Sequence, residues 1–290
     1  MATFAAGLTE AVLYDTLVNY LISMARVVES AMNRALDAIV GFDNPRTSGL
    51  PGEVFLLEPR INEMEIMIDE HAIRLLRRGS FTDDEMRLIV AALKITNDLE
   101  RIGDIAVNLA ERVISLREMP NATVPEQLSP MAEAVRSMVS RSLGALIFRN
   151  ADLAAQVLES DDVVDHYRDT IFEKLLQHMT QDAALVSPGM QFVLATRHLE
   201  RIADHATNIA EDIIFWVRGL DVRHGRGLTV RPDEGETFTT AAGEVAKDTA
   251  AKNEVTKSAA AEGELPNGEM NKNSHSLHSD VTQSCETQRV

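Results

Sequence analysis

The sequence predicts an all-α fold: two homologous three-helix bundles, followed by a disordered C-terminal tail. Three observations support this prediction. Of the 290 residues, 45% are hydrophobic but only 4% are aromatic, a mix typical of packed helices and too poor in aromatic residues for a β-sandwich. Apolar residues recur at spacings of three and four through residues 8–220. The segment at residues 99–111 recurs at 199–211 with nine of thirteen positions identical, which indicates an internal repeat.

Six helical segments make up the body of the chain. In chain order the predicted helices are 8–41, 53–78, 83–117, 130–149, 151–180 and 187–219. Thr82 and Glu85 form a capping box that fixes the start of the third helix. Pro59 either kinks the second helix or marks its true start. Pro188 follows a serine at the start of the last helix, and Gly219 is a typical residue for its end.

The repeat divides the chain into two domains, 8–118 and 126–220, and a tail at 231–290. The two copies are offset by 100 residues in the third helix of each half and by about 103 in the second, so the length difference falls in a loop. The tail has few large apolar residues, without helical or strand spacing. It cannot bury enough apolar surface to offset about 1–2 kcal/mol of backbone entropy per residue, so we predict that it is disordered. A short partner-binding segment within it is the alternative.

Composition excludes several classes of function. With 28 basic and 45 acidic residues, the formal net charge is −17, so no strong basic field exists to hold nucleic acid or an anionic membrane. No apolar run approaches the roughly 20 residues of a transmembrane helix, and the N-terminus does not resemble a signal peptide. A single cysteine, Cys285, excludes an internal disulfide and a cysteine metal site. We therefore expect a cytoplasmic protein.

The repeated helix carries acidic residues on the side opposite its apolar stripe. On a helical wheel, Glu100 and Asp104 lie within 40° of each other, and Glu200 and Asp204 repeat this pair. A solvated, charged helix face is the simpler explanation for one copy. Recurrence of the same acids favours a function, because carboxylates four residues apart repel each other by a few tenths of a kcal/mol.

A second pair of polar residues lies on the preceding helix. In the second half it is Asp161 and Asp165, and its counterpart in the first half is Glu58 and Asn62. Two helices that each present such a pair could supply four oxygen ligands to a hard cation such as Mg, Mn or iron. Acidic pairs without metal are also common on protein surfaces. Because Asn62 is neutral, the carboxylate count predicts tighter metal binding in the second half.

The remaining positions of the repeated helix have structural explanations. Thr96 falls at the edge of the polar stripe. Small residues form a strip on one flank, where a neighbouring helix could approach closely: Gly103, Ala106 and Ala110. His205 points toward the edge of the apolar stripe, so we predict that it packs rather than binds a metal.

These motifs resemble one known family. The repeated Leu-Glu-Arg-Ile-x-Asp-x-Ala-x-Asn-x-Ala-Glu, with Ile-Asn-Glu-Met-Glu at 61–65 and Asp-Val-Val-Asp-x-Tyr at 162–167, resembles the PhoU family of bacterial phosphate-signalling accessory proteins. The resemblance spans about residues 8–220 and implies a six-helix repeat made of two pseudo-symmetric three-helix bundles.

The resemblance also implies a function. It implies a cytoplasmic regulator, not an enzyme, that represses phosphate uptake and the phosphate-starvation response. The implied partners are the ATPase subunit of the phosphate ABC transporter and a phosphate-sensing histidine kinase, and we expect a homodimer. The alternatives are a carboxylate-bridged metalloprotein with an enzymatic role, such as an oxidase or hydrolase, and an interaction module without metal.

Some family members bind multinuclear metal clusters through paired (Glu/Asp)-x-x-x-Asp motifs, which implies a divalent-metal or iron cluster here. The matching pairs in this chain are Glu100/Asp104, Glu200/Asp204 and Asp161/Asp165. Glu58/Asn62 departs from the pattern.

Overall fold

The structure is a computed structural model that describes residues 2–223 and 228–229, with side chains described from residue 13 to 223. Seven α-helices run through this part of the chain: α1 (Ala2–Val40), α2 (Leu50–Leu76), α3 (Asp83–Arg117), α4 (Leu128–Phe148), α5 (Ala151–Leu158), α6 (Asp161–Gln181) and α7 (Val186–Arg218). Short 3-10 helices lie at Pro45–Thr47 and Ala183–Leu185. Two two-residue strands, β1 (Leu220–Asp221) and β2 (Leu228–Thr229), pair antiparallel.

The first repeat follows the prediction most closely at α3. The Thr82 hydroxyl accepts a hydrogen bond from the Glu85 N–H at 3.3 Å, and the Glu85 carboxylate accepts one from the Thr82 N–H at 2.8 Å, which confirms the capping box. The start of α2 was predicted too late. The helix begins at Leu50, with Pro51 in its first turn, and continues through Pro59, so Pro59 does not mark its start.

The second repeat contains one helix more than predicted. The prediction of a single helix at 151–180 is wrong, because the helix is interrupted at residues 159–160, between α5 and α6. Asp161 and Asp162 follow the break, and their carboxylates stabilise the N-terminus of α6. Helix α7 begins one residue before its predicted start. It ends as predicted at Gly219, whose φ of 66° is left-handed.

The helices form two packed groups that share a long contact. Helices α1, α2 and α3 pack against one another, α4, α5 and α6 pack against α7, and α3 and α7 lie side by side. The predicted apolar stripe is core, with Leu99 and Leu199 fully buried. The predicted flank of small residues is also confirmed, because a Cβ on Gly103 would lie 2.9 Å from Cδ1 of Ile61 on α2.

The same close approach explains one wheel assignment that was wrong. Thr96 was placed at the edge of the polar stripe, but it is buried and its hydroxyl donates to the Ala92 carbonyl at 2.8 Å. A wheel shows the angle of a side chain but not which side a neighbouring helix covers, and α2 packs against this helix at Gly103.

Two further points concern the limits of the described chain. The predicted tail at 231–290 lies outside the described residues, so its disorder stays a prediction. Within the described part, none of the helices is both long and apolar enough to cross a membrane.

Candidate functional site

The four acids predicted in the second repeat lie together where α6 packs against α7. Asp161 and Asp165 are one turn apart on α6, and Glu200 and Asp204 are one turn apart on α7. Burial raises the pKa of Asp161, and the charges of nearby Asp165 and Glu200 raise it further. Burial also raises the pKa of Asp204, with Asp161 as its strongest charged neighbour. We call these four residues the second acidic cluster.

Arg168 on α6 inserts a cation into the second acidic cluster. Its Nη1 donates to Oδ1 of Asp165 at 2.9 Å and also contacts Oε1 of Glu200 on α7. Its Nη2 lies 2.9 Å from Oδ1 of Asp169. One guanidinium therefore joins both helices and offsets part of the repulsion among the acids.

The first repeat has a corresponding group around Glu100 and Asp104 on α3. Burial raises the pKa of Glu100 most, Asp104 and Glu65 raise it further, and Arg101 opposes them. The Glu100 side chain is 16% exposed, and its Oε2 is buried without a hydrogen-bond partner, although Nε of Arg101 lies 3.4 Å away. Nη1 of Arg101 also donates to Oδ2 of Asp104 at 3.2 Å.

The side chains of the predicted α2 pair, Glu58 and Asn62, are hydrogen-bonded to each other. Nδ2 of Asn62 donates to Oε1 of Glu58 at 2.6 Å, so the two side chains share one helical face despite Pro59 between them. Glu65 lies one turn beyond Asn62, and its charge acts on Glu100 across the α2–α3 contact. We call Glu58, Glu65, Glu100 and Asp104, with Asn62, the first acidic cluster.

Glu65 and Arg168 were not singled out from the sequence, yet they distinguish the two clusters. The offset of 103 residues between the second helices of the two halves makes them equivalent positions. Aligning the two repeats would therefore have identified this pair of positions. A search for acids that recur in both repeats misses it, because the position is acidic in one repeat and basic in the other.

The two clusters offer the correct kind of donor for a hard cation, because carboxylate and amide oxygens are its preferred ligands. Among residues 13–223, however, no three His, Cys, Asp or Glu side chains converge closely enough to hold one metal ion. Oε2 of Glu100 is buried without a hydrogen bond, and the pKa of this carboxyl is raised, which fits a cation in the first acidic cluster. Both clusters also contain an arginine: Arg101 lies against Glu100 and Asp104 in the first, and Arg168 lies against Asp165 and Glu200 in the second.

Another polar group joins the two repeats across α3 and α7. Asp98 accepts hydrogen bonds from Nδ1 of His205 at 2.8 Å and from Nδ2 of Asn208 at 3.3 Å. Nζ of Lys94 donates to Oδ1 of Asp212 at 2.9 Å. Burial raises the pKa of Asp212, whereas Lys94 lowers it. His205 packs in this interface, as the wheel predicted.

A cavity of about 540 Å³ lies away from both acidic clusters. It is bounded by the connection between α3 and α4, the end of α6 and the start of α7. Leu175, Met179 and Phe192 give it apolar walls, and none of the eight predicted site residues lines it.

Comparison with known proteins adds a second, independent line of evidence. The sequence profile of the PhoU domain matches the chain twice, at residues 21–113 and 128–213. A Pseudomonas aeruginosa protein named phosphate-specific transport system accessory protein PhoU homolog is 38% identical over 221 residues, covering 75% of this chain and 88% of that protein. A Pseudomonas putida protein of the same name is 38% identical over 209 residues, covering 71% of this chain and 79% of that protein.

Solved structures show the same arrangement of helices. The crystal structure of PhoU from Pseudomonas aeruginosa superposes with a TM-score of 0.68 at 35% identity and covers 72% of this chain and 99% of that chain. The phosphate transport system regulatory protein PhoU from Streptococcus pneumoniae gives a TM-score of 0.66 at 23% identity, covering 73% and 99%, and supports the fold alone. Since both profile matches fall on the two helical repeats and the relatives align over most of the described chain, this protein belongs to the PhoU family.

Proposed function

We propose that this protein is a regulatory adaptor that restrains phosphate uptake and phosphate-starvation signalling. The observation that supports this most strongly is its 38% identity, over 75% of the chain and through both repeats, to a phosphate-specific transport system accessory protein. The proposal includes a cytoplasmic location and assembly as a homodimer. A metalloenzyme is the less favoured alternative, because the matched relatives bear the names of accessory proteins.

Deletion of the gene tests the regulatory role. We expect phosphate-starvation genes to be expressed even in high phosphate, and phosphate uptake to rise, with both effects reversed by the full-length chain supplied in trans. A reporter that stays silent in high phosphate after deletion would contradict the proposal.

The proposed partners are the ATPase subunit of the phosphate ABC transporter and the phosphate-sensing histidine kinase. A pull-down with each purified partner measures this directly, with the ATPase subunit of an unrelated ABC transporter as the control. Equal retention of the unrelated subunit, or none of either phosphate partner, would count against an adaptor.

We also propose that the first acidic cluster binds a divalent cation. Its four carboxylates include Glu100, whose Oε2 is buried without a hydrogen bond. A cation would offset the burial and the like-charge repulsion that together raise the pKa of this group. Metal analysis of protein purified without chelators tests for the cation, and loss of metal from a Glu100→Gln variant tests for its place. Metal content unchanged by this substitution would contradict the assignment.

A further inference from the structure

The interface between α3 and α7 has two polar ends, which the internal repeat relates to each other. Residues 100 apart are equivalent in these helices, so His198 takes the place of Asp98, and Arg112 takes the place of Asp212. One end therefore holds two buried acids, and the other holds two basic side chains. The acids have partners from the opposite helix, a histidine and a lysine, at 2.8 and 2.9 Å.

The basic end lacks equivalent partners for two of its nitrogen atoms. Nδ1 of His198 and Nε of Arg112 are buried, and neither has a hydrogen-bond partner in the described part of the chain. The other nitrogens of Arg112 are engaged: Nη1 donates to Oε1 of Gln191 at 3.0 Å, and Nη2 lies 3.5 Å from Oε2 of Glu111. Burying a hydrogen-bond donor without an acceptor is unfavourable, so an acceptor at this end would stabilise the interface.

Two further arginines surround His198 on its own helix. Arg197 precedes it and Arg201 lies one turn on, and both are exposed. Burial lowers the pKa of His198, and so do the charges of Arg201, Arg112 and Arg197, while Glu111 opposes them. This concentration of positive charge stands out in a chain of net charge −17.

We propose that His198, Arg112, Arg197 and Arg201 form a binding site for a small oxyanion, with inorganic phosphate as its ligand. The guanidinium groups of Arg197 and Arg201 match the geometry of phosphate oxygens and can bind them through paired, charge-assisted hydrogen bonds, and Arg112 can add its Nε–H. His198 in its neutral form can donate Nδ1–H to the same anion. Phosphate then supplies the opposite charge that His205 and Lys94 supply to the acids at the other end of the interface, and it contacts α3 and α7, one helix from each repeat.

This site goes beyond the proposed regulatory function and does not depend on it. A regulator can act through its partners without binding phosphate itself. Phosphate bound here would let this chain respond directly to the concentration of the ion, since α3 and α7 are the helices that join the repeats.

The main test is calorimetric titration of the full-length protein with inorganic phosphate at constant ionic strength. We expect saturable binding of one phosphate per chain and at least about tenfold weaker binding by the double variant Arg197→Gln/Arg201→Gln, because charged hydrogen bonds are lost. Both residues are exposed, and circular dichroism should show an unchanged helical content. Arg101→Gln is the matched control: it is the equivalent of Arg201 in the first repeat, lies among acids and should not alter phosphate affinity.

Three results would overturn the proposal: no saturable binding, equal binding by the double variant, or equal displacement by chloride. Sulfate that binds as tightly as phosphate would support an oxyanion site but overturn phosphate as its specific ligand. None of these results bears on the regulatory role, which the phenotype of the deletion strain tests separately.

Discussion

At the scale of single residues, the two acidic clusters differ in charge because one equivalent position is Glu65 in the first repeat and Arg168 in the second. The residues predicted from the sequence give the second repeat four carboxylates and the first repeat three. Glu65 adds a fourth carboxylate to the first repeat, and Arg168 adds a cation to the second. With Arg101 and its counterpart Arg201 included, the first cluster has four carboxylates and one arginine, and the second has four carboxylates and two arginines. Since charge controls the affinity of a site for a hard cation, we expect the first cluster to bind more tightly, the reverse of the order that the carboxylate count alone predicts.

Titration with Mn²⁺, followed by calorimetry or by electron paramagnetic resonance, tests this order. Glu65→Gln should weaken the tightest binding, and Arg168→Gln should strengthen binding at the second cluster, each by roughly tenfold if one unit of charge is worth about 1.4 kcal/mol at a half-buried site. Glu63→Gln, an exposed α2 residue, controls for net charge. Unchanged binding in both test variants would show that neither residue faces the ion.

The raised pKa of Glu100 also predicts that the stability of the protein depends on pH. Its pKa is raised in the folded protein, so the folded state binds this proton more tightly than the unfolded chain. Protonation of Glu100 therefore contributes to stability. This contribution is fully present below the pKa of the carboxyl in the unfolded chain, about 4.3, and is lost as the pH rises through its pKa in the folded protein.

Glu100→Gln should therefore stabilise the metal-free protein at neutral pH, by about 0.5 kcal/mol from the like-charge pair alone. The gain should shrink as the pH falls toward 4, where the wild-type carboxyl is protonated. Denaturant unfolding with a chelator present, at both pH values, measures the difference. A variant less stable than wild type at neutral pH would show that the ionised carboxylate is stabilised in the fold.

At the scale of helices, the close contact between α2 and α3 depends on Gly103. A Cβ there would lie 2.9 Å from Cδ1 and 3.3 Å from Cγ2 of Ile61, which is 1% exposed and has little room to move. We expect Gly103→Ala to destabilise the protein by about 1–3 kcal/mol despite the better helix propensity of alanine. Gly52→Ala in α2 has no atom within 4 Å of the new Cβ and should be neutral or stabilising in the same denaturant assay.

Local signals decided which helices were predicted well. The start of α3 followed from its capping box and the end of α7 from Gly219, because both signals act within a few residues. The break between α5 and α6 was missed because Ser160 makes no side-chain cap and the apolar spacing continues across it. The start of α2 was missed because Leu50-Pro51-Gly52 is typical of a loop, although proline is well accommodated in a first helical turn.

At the scale of the whole molecule, the sequence revealed the repeats but not the contacts between them. The acids of the two clusters could be found because they recur at a fixed offset. The partners of Asp98 and Lys94 lie more than 100 residues away, and no local pattern connects them. The basic end of the α3–α7 interface was missed for the same reason: His198 and Arg112 belong to different repeats and become a group only when the helices pack.

The ion pair between Lys94 and Asp212 provides a test of how firmly that interface joins the repeats. Asp212 is 6% exposed, and burial raises its pKa while Lys94 lowers it. Lys94→Met would leave this carboxylate without its cation, so we expect a loss of about 1–3 kcal/mol at neutral pH. Because the pKa of Asp212 would rise further in this variant, the loss should diminish as the pH falls and the carboxyl is protonated.

The double variant Lys94→Met/Asp212→Leu shows whether the single variant loses stability because Asp212 is left unpaired or because the fold depends on the ion pair. Replacing both partners with apolar side chains removes the buried charge, so stability at neutral pH should return close to that of wild type. Lys174→Met is the matched control, since Lys174 pairs at 3.3 Å with Glu126 in an exposed contact and should change stability little. A double variant as unstable as Lys94→Met would mean that the lysine stabilises the interface by packing, including its contact with the Phe215 ring, rather than by neutralising Asp212.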